Sequence, residues 1–457
     1  MCVSVAPMNR TTRPRPRVLG ALGLGVSAAL LAACGTAADD SAAPAPDPTS
    51  APAATEVATA KPRLVLTYDG GVQVLDADSL EVVADLPLEG FTRVNGAGDD
   101  RHVLVSTTGG FQVLDAGTWS QPHGDHAHSY TSDPVLTDVL WPADTPGHVV
   151  AHEGRTALFD DGTGTITVLD AADVADPDTP ARELTTPSAH HGVAVELADG
   201  TLVVSEGTEE ARTGIRVLDA DGHEVAATQE CPGVHGEAVA ADGAVVIGCE
   251  DGAVVYAGGT ITKVTAPDAY GRIGNQAGSG ESPVVLGDYK SDPDAELERP
   301  TRVSLIDTRD GSLRLVDLPS SYTFRSLGRG EDGEALVLGT DGSLHVIDPE
   351  SGELVRSIPV VDAWEEPDAW QSPRPALTVL DGSVYVTDPA TRSVHAVDVV
   401  SGEVWLSTTL DVEPNEITGV SGAVPHTSGH DGAEHEHGDE HEHGDEHDHD
   451  HEDAHTD

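Results

Sequence analysis

The sequence predicts an all-β protein: a β-propeller of eight four-stranded antiparallel blades, or seven if one copy of its repeat is decorative. Three observations point there. Between Leu64 and Val420 no stretch carries a helical apolar period, and short alternating strands broken by Asp-Gly and similar turns fill the interval. One phrase, an alternating apolar strand ending in Asp, returns at about 46-residue spacing, the length of a four-stranded blade. The first copy has no strand ahead of it, while a spare segment, Asn415 to Val420, follows the last. The C-terminal strand is therefore expected to close the ring inside the first blade. A pair of open β-sandwiches is the alternative architecture.

The elements follow in chain order. Residues 1–33 look like a lipoprotein signal peptide. Arg10, Arg13, Arg15 and Arg17 form a basic region, Val18 to Leu31 is apolar, and Leu31-Ala32-Ala33-Cys34 resembles a bacterial lipobox. The apolar run is too short and too rich in Gly and Ala to span a bilayer well. Cys34 is therefore the expected lipid-bearing residue, and the chain is expected to sit on the outer face of a bacterial cytoplasmic membrane. Residues 34–61, rich in Ala, Pro, Thr and Asp, read as a disordered tether. Residues 62–424 hold the propeller. Its landmark phrase appears as Val72 to Asp76, Phe111 to Asp115, Ile166 to Asp170 and Ile215 to Asp219. It returns as Val303 to Asp307, Leu344 to Asp348 and Val394 to Asp398, with a degenerate copy at Val254 to Tyr256. Residues 425–457 form a disordered tail of His, Asp, Glu and Gly.

The formal net charge of −55 excludes whole classes of partner. DNA and RNA need Lys and Arg to neutralise phosphate, and anionic lipid headgroups need the same. A surface this acidic repels itself and concentrates cations; salt adaptation alone would give the same sign. Membrane association is expected only through the N-terminal lipid, and the chain is expected to be a monomer. Of the four cysteines, Cys2 leaves with the signal and Cys34 carries lipid. Cys231 and Cys249 remain, and an even pair in an exported domain is most simply a disulfide, with thiolate metal ligation as the other reading.

Histidine placement carries the chemistry. Reading back from each landmark gives the start of each blade's inner strand, which lines the central channel. These starts are Arg93, His148, His191, His235, Asn275, Arg325, Arg374 and Asn415. His148, His191 and His235 fall one blade apart, so three neighbouring blades are expected to aim imidazoles into one mouth of the channel. Three nitrogen ligands leave a tetrahedral metal one vacancy. The loop His123-Gly124-Asp125-His126-Ala127-His128 precedes His148 and is expected to swing over the channel as a lid. His126 or His128 would complete the site, His123 lies within reach, and Asp125 would ligate or orient a neighbour. His152, His190 and Glu237 lie beside the same strands as alternative ligands or hydrogen-bonding partners of ligands. His102, His223, His345 and His395 read as ordinary residues. In the tail, imidazoles alternate with carboxylates at His435, His437, His441, His443, His447, His449 and His451. Such a segment would bind several ions loosely and lose them as pH falls below about 6.5, because protons compete for the ring nitrogen.

Several segments resemble one family. The His-rich loop, Pro146-Gly147-His148-Val149-Val150-Ala151-His152-Glu153-Gly154, Ala189-His190-His191-Gly192-Val193 and Cys231-Pro232-Gly233-Val234-His235-Gly236-Glu237 are similar to AztD-type zinc metallochaperones. The resemblance covers the propeller and implies Zn²⁺ binding outside the cytoplasmic membrane. It further implies transfer of zinc to the solute-binding protein of an AztABC-type ABC importer, with no enzymatic activity. The lipobox and the tail are not part of that pattern. Two other readings compete. A propeller enzyme, lactonase-like or quinone-dependent, would need a calcium set of carboxylates and amides or a Trp-rich cofactor channel, and only five Trp occur. A protein-binding scaffold would bind metal incidentally and would have no use for histidines at the blade period.

Overall fold

Strands, with short 3-10 turns at Ala171–Asp173 and Ala241–Gly243, make up the regular structure of residues 53–425, the part of the chain that the computed structural model describes. The signal segment, Cys34, most of the tether and the tail histidines from His435 to His451 lie outside the described residues. Among those described, no helix is long and apolar enough to cross a membrane.

The landmark phrases become the third strand of successive sheets, from Gly71–Asp76 and Gly110–Asp115 to Ser343–Ile347 and Ser393–Asp398. Their β-branched and Leu side chains suit a pleated surface. Each sheet packs face to face on its neighbours, so inner strands are apolar on both faces: Leu64, Val65 and Leu66 are consecutive and wholly buried. Eight sheets of this kind occur among the described residues: seven run outward from the axis through four strands in chain order, one of them with a short extra strand at Gly271–Arg272, and the eighth has Ile417–Val420 innermost, followed by the first three strands of the propeller. The innermost strands include Arg93–Gly96, Pro146–His152, Ala194–Glu196, His235–Val239 and Gln276–Ser279. The fold is the expected all-β propeller.

Ring closure follows the expected route. Ile417–Val420 pairs antiparallel with Arg63–Tyr68, in register from Arg63 opposite Val420 to Leu66 opposite Ile417. Side chains close the same seam: Leu64, Leu66 and Leu75 pack with Tyr385, Val394 and Ala396 of the last sheet. The Tyr385 hydroxyl donates to the carbonyl of Ala77 at 3.2 Å. Each Leu or Val so buried contributes about 1.5–3 kcal/mol relative to exposure.

Two departures from expectation concern the N-terminal side. The segment expected to be structureless as far as residue 61 contains a strand, Thr55–Val57, paired with His126–Thr131. It adds to the open edge of a hairpin whose other strand is Thr118–His123, giving a separate three-stranded sheet. An unpaired edge accepts any extended segment that can present its N–H and C=O groups, and Thr-Glu-Val does so. The second departure is where this hairpin sits. Arg93 pairs opposite Ser106, and His102 opposite Asp115. The chain therefore leaves Gly110–Asp115 at the end of the sheet remote from Arg93, and the hairpin starts there, with Thr118 against Gly422 and Ser120 donating to the Gly422 carbonyl.

A disulfide joins Cys231, just ahead of His235–Val239, to Cys249 at the end of Val245–Cys249, and both cysteines are fully buried. Closing a loop of this size contributes about 3 kcal/mol in the chain-entropy treatment. Replacing both cysteines by Ser should lower the free energy of unfolding by roughly that amount. Denaturant titration checks it, and an unchanged midpoint would mean the bridge adds nothing.

Candidate metal centre

His148, His191 and His235 come together. His235 opens its strand, His148 sits at a bulge between Pro146 and Val149, and His191 lies just ahead of Ala194–Glu196. Two glycines allow this. Gly192 passes so close to the Phe159 ring that no Cβ would fit. Gly236 has φ +72°, the left-handed region in which side chains are strained, and sits at the register shift between His235 and Glu237.

The three rings stand with centroids 5.0–5.6 Å apart, and their ligand atoms all lie within 4.8 Å of one another. Each Nδ1 faces an oxygen, and for His191 and His235 the contact is a hydrogen bond. His191 Nδ1 is 2.5 Å from Asp161 Oδ2, His235 Nδ1 is 2.5 Å from the Gly274 carbonyl, and His148 Nδ1 is 3.0 Å from Glu237 Oε2. The other Asp161 oxygen accepts from the Gly192 N–H at 3.2 Å, which anchors the carboxylate. A carbonyl can only accept, so Nδ1 of His235 carries the hydrogen and the neutral ring presents a bare Nε2. The carboxylates favour the same tautomer in His148 and His191. Nε2 of His191 and Nε2 of His235 are then 3.1 Å apart. Two facing lone pairs repel unless a cation lies between them. Zinc–nitrogen bonds of about 2.0–2.1 Å at tetrahedral angles place ligand nitrogens about 3.3 Å apart. His191 and His235 thus have the donor type, tautomer and separation that Zn²⁺ requires, and His148 brings a third nitrogen within 4.8 Å of theirs.

Electrostatics divides the trio. Burial disfavours charge on His148, but the Glu237 carboxylate, helped by Asp161, outweighs it and raises its pKa above the ordinary imidazole value. Burial, reinforced by His148 and His191, holds His235 well below 6.5. The trio faces a cavity of about 370 Å³ that Arg93, Arg272 and Lys290 also line. On its other side His191, 40% exposed, borders a second pocket lined by Glu209, Glu210 and Glu250.

The remaining predicted residues separate. His123, His126 and His128 form their own cluster on the hairpin, at the far end of the sheets from Arg93. The expected lid over the channel is therefore corrected, since the hairpin leaves from the wrong end. Within that cluster, Nε2 of His128 lies 3.2 Å from Nε2 of His126 and 3.3 Å from Nδ1 of His123. Here too carboxylates hold the outward nitrogens: Asp125 at 3.2 Å from His126 Nδ1, and Glu56, from the added strand, at 2.7 Å from His128 Nδ1.

His152 is not a partner of the channel trio. It ends its strand, 3.4 Å from Glu153, and lines a cavity with Asp100 and Pro425. His190 is buried with both nitrogens engaged, by the Ser188 carbonyl and the Ser205 hydroxyl, each at 2.9 Å, and so offers no ligand atom. Glu237, expected as an alternative ligand or a ligand's partner, lies beside His148, its Oε2 3.0 Å from Nδ1. Asp161 and the Gly274 carbonyl were missed; both sit in connections, where no periodic signal marks them. His223 clusters with Asp219 and Asp221 on an exposed turn.

No family model matches the chain. It is 27% identical over 373 residues to the zinc chaperone AztD of Citrobacter koseri, which covers 80% of this chain and 88% of that protein. The crystal structure of Citrobacter koseri AztD aligns with a TM-score of 0.69 at 25% identity, over 79% of this chain and 98% of that one. The apo form aligns at 0.68 with 24% identity and the same coverage. Dihydro-heme d1 dehydrogenase NirN, at 13% identity and TM-score 0.50, shares the fold alone, over 79% of this chain and 75% of its own. The resemblance to AztD-type proteins read from the sequence is thereby borne out.

In the metal-free protein, NMR titration should find His148 protonating above, and His235 well below, the usual imidazole value. Glu237→Gln should move His148 downward, since the carboxylate is the group that raises it. An unmoved His148 would show that Glu237 does not orient that ring.

Proposed function

We propose that this protein is an extracytoplasmic zinc metallochaperone that captures Zn²⁺ and passes it to the solute-binding protein of a zinc ABC importer, without catalysing a reaction. The observation that carries the reading is the convergence of His148, His191 and His235, each held through Nδ1 by a fixed acceptor. Similarity to the zinc chaperone AztD supports it independently. Zinc is the cargo. Three neutral imidazoles bind it and leave one coordination position open. An incoming donor can enter that position before any histidine lets go, so the ion moves by ligand exchange without passing through free solution. Lipidation at Cys34 would hold the propeller at the outer face of the membrane, near such an importer.

Asp161, Glu237 and the Gly274 carbonyl act through the ligands. By taking the Nδ1 hydrogen they keep Nε2 bare and raise its donor strength. His123, His126 and His128, steadied by Asp125 and Glu56, form a second zinc site at the other end of the propeller. The tail histidines from His435 to His451 serve as a loose reservoir.

Zinc titration of protein lacking residues 426–457 should give two sites that fail independently. His235→Ala or His191→Ala should weaken the channel site by more than the ten- to hundredfold that loss of an orienting partner costs, and should spare the hairpin site. His126→Ala should do the reverse. One variant abolishing both would restore the single lidded site. Transfer is tested by mixing zinc-loaded protein with the metal-free solute-binding protein under excess chelator. Zinc should reach the acceptor faster than the chelator removes it, and equal partitioning would count against direct transfer.

A further inference from the structure

The cavity that the three imidazoles face has the wrong sign for a cation alone. In a chain of net charge −55, Arg93, Arg272 and Lys290 line it, and no carboxylate does. Two of these cations are fixed in place and paired: Arg93 Nε lies 3.1 Å from Glu416, and the Arg272 guanidinium donates to the Gly233 carbonyl at 3.3 Å and lies 3.8 Å from Glu250, which leaves Lys290 as the cation without a carboxylate within ion-pair distance among the described residues. Lys290, half-buried, forms no side-chain hydrogen bond or ion pair among the described residues; its backbone is bridged to Arg272, and it also borders a second cavity lined by Asp288, Glu298 and Glu366. Zn²⁺ held by neutral imidazoles would confront all three. The carboxylates Glu237 and Asp161, beside His148 and His191, offset two charges and do not line the cavity. Like charges that face one another across a half-enclosed cavity repel.

We propose that the cavity is an anion site, and that zinc is held in the channel together with a carboxylate. One carboxylate oxygen would occupy the open fourth position of the metal while the rest of the group is received by Arg272, Lys290 and Arg93. Carboxylate is a zinc ligand in its own right, and guanidinium pairs with it in a planar fork. Metal and anion then bind with positive coupling, each neutralising what repels the other. This inference rests on the zinc reading of the trio. It adds that the ion is released when its carboxylate is withdrawn or exchanged for one belonging to the acceptor.

Two sources could supply the carboxylate, a small free acid or an acidic side chain of this protein, and the test separates them. Full-length protein is equilibrated in a chelator buffer that clamps free Zn²⁺ near half-saturation of the tightest site. Bound zinc is then measured with and without malonate, for wild type, Lys290→Gln, Arg272→Gln and His235→Ala. Clamping the free ion removes malonate's own chelation from the readout. For a free acid, malonate should tighten wild-type binding on the order of tenfold, and each cation replacement should erase the gain. For an internal carboxylate, malonate should add little, and Lys290→Gln should bind zinc more weakly than wild type without it. Indifference to malonate, with Lys290→Gln binding zinc as tightly as wild type or tighter, would overturn the proposal while loss of zinc in His235→Ala left the zinc reading standing. Zinc retained in His235→Ala would overturn both. Because Lys290 has no bonding partner to lose, a folding defect in that variant is not expected, and circular dichroism verifies it.

Discussion

Every imidazole of the channel trio is oriented by an acceptor from outside its own sheet, and the site depends on that cross-bracing. Asp161, in a turn of the sheet that carries His148, holds His191. Glu237, on the strand that His235 begins, holds His148. Gly274, in the connection to the next sheet, holds His235. A ring free to rotate about χ2 would present either nitrogen, in either tautomer, and would lose entropy on ligation. Here that cost is met during folding, because the acceptors are locked by the packing of neighbouring sheets. The Val, Leu and Ile layers between sheets therefore contribute to metal geometry as well as to stability. Cys231–Cys249, fixed in the sheet that presents His235, extends the same constraint.

The fold was legible because its repeat is a local pattern. Third strands such as Gly110–Asp115 alternate, end in Asp and recur at a constant interval, and the missing first strand pointed to Ile417–Val420. The trio was legible for a related reason: equivalent positions in consecutive sheets share one end of the axis, so histidines at the repeat interval had to converge. Its orienting groups were less so. Glu237 could be named because it shares a strand with a ligand, whereas Asp161 and Gly274 lie in turns, where side-chain direction has no period. His190 and His152 show the limits of adjacency. One residue along the chain from His191, a ring turns inward to Ser205. At the far end of the strand that carries His148, a ring belongs to the opposite end of the propeller.

The hairpin error has a topological cause. Proximity in sequence made His123 to His128 look like a lid for His148. But successive strands of an antiparallel sheet reverse direction, and the connection from third to fourth strand leaves from the end opposite to where the first strand began. That parity rule was available from the sequence once the landmark phrase was known to be the third strand. The strand at Thr55–Val57 was not available in the same way, since edge pairing depends on what lies across in space. Its consequence is chemical, because it carries Glu56 to His128.

Charge distribution sets direction at the channel mouth. His191 borders two cavities of different lining, Glu209, Glu210, Glu250 and Arg212 around one and Arg93, Arg272 and Lys290 around the other, and a Glu250–Arg272 ion pair at 3.8 Å links the two. On the zinc reading, a hydrated cation would be drawn along the glutamate-rich side and would shed its water against imidazole. The basic side resists its further passage and attracts whatever anion completes its coordination. On the anion proposal, metal and anion would reach the trio from different quarters and need not compete for one path. The overall charge raises cation concentration near the surface, within a Debye length of roughly 8 Å in physiological salt. The local reversal at the cavity would keep a captured ion from being bound too well. Deep affinity and ready exchange conflict in any site whose ligands all belong to one rigid wall. Assigning one ligand to an exchangeable anion, and surrounding that position with positive charge, resolves the conflict within a framework that does not have to move.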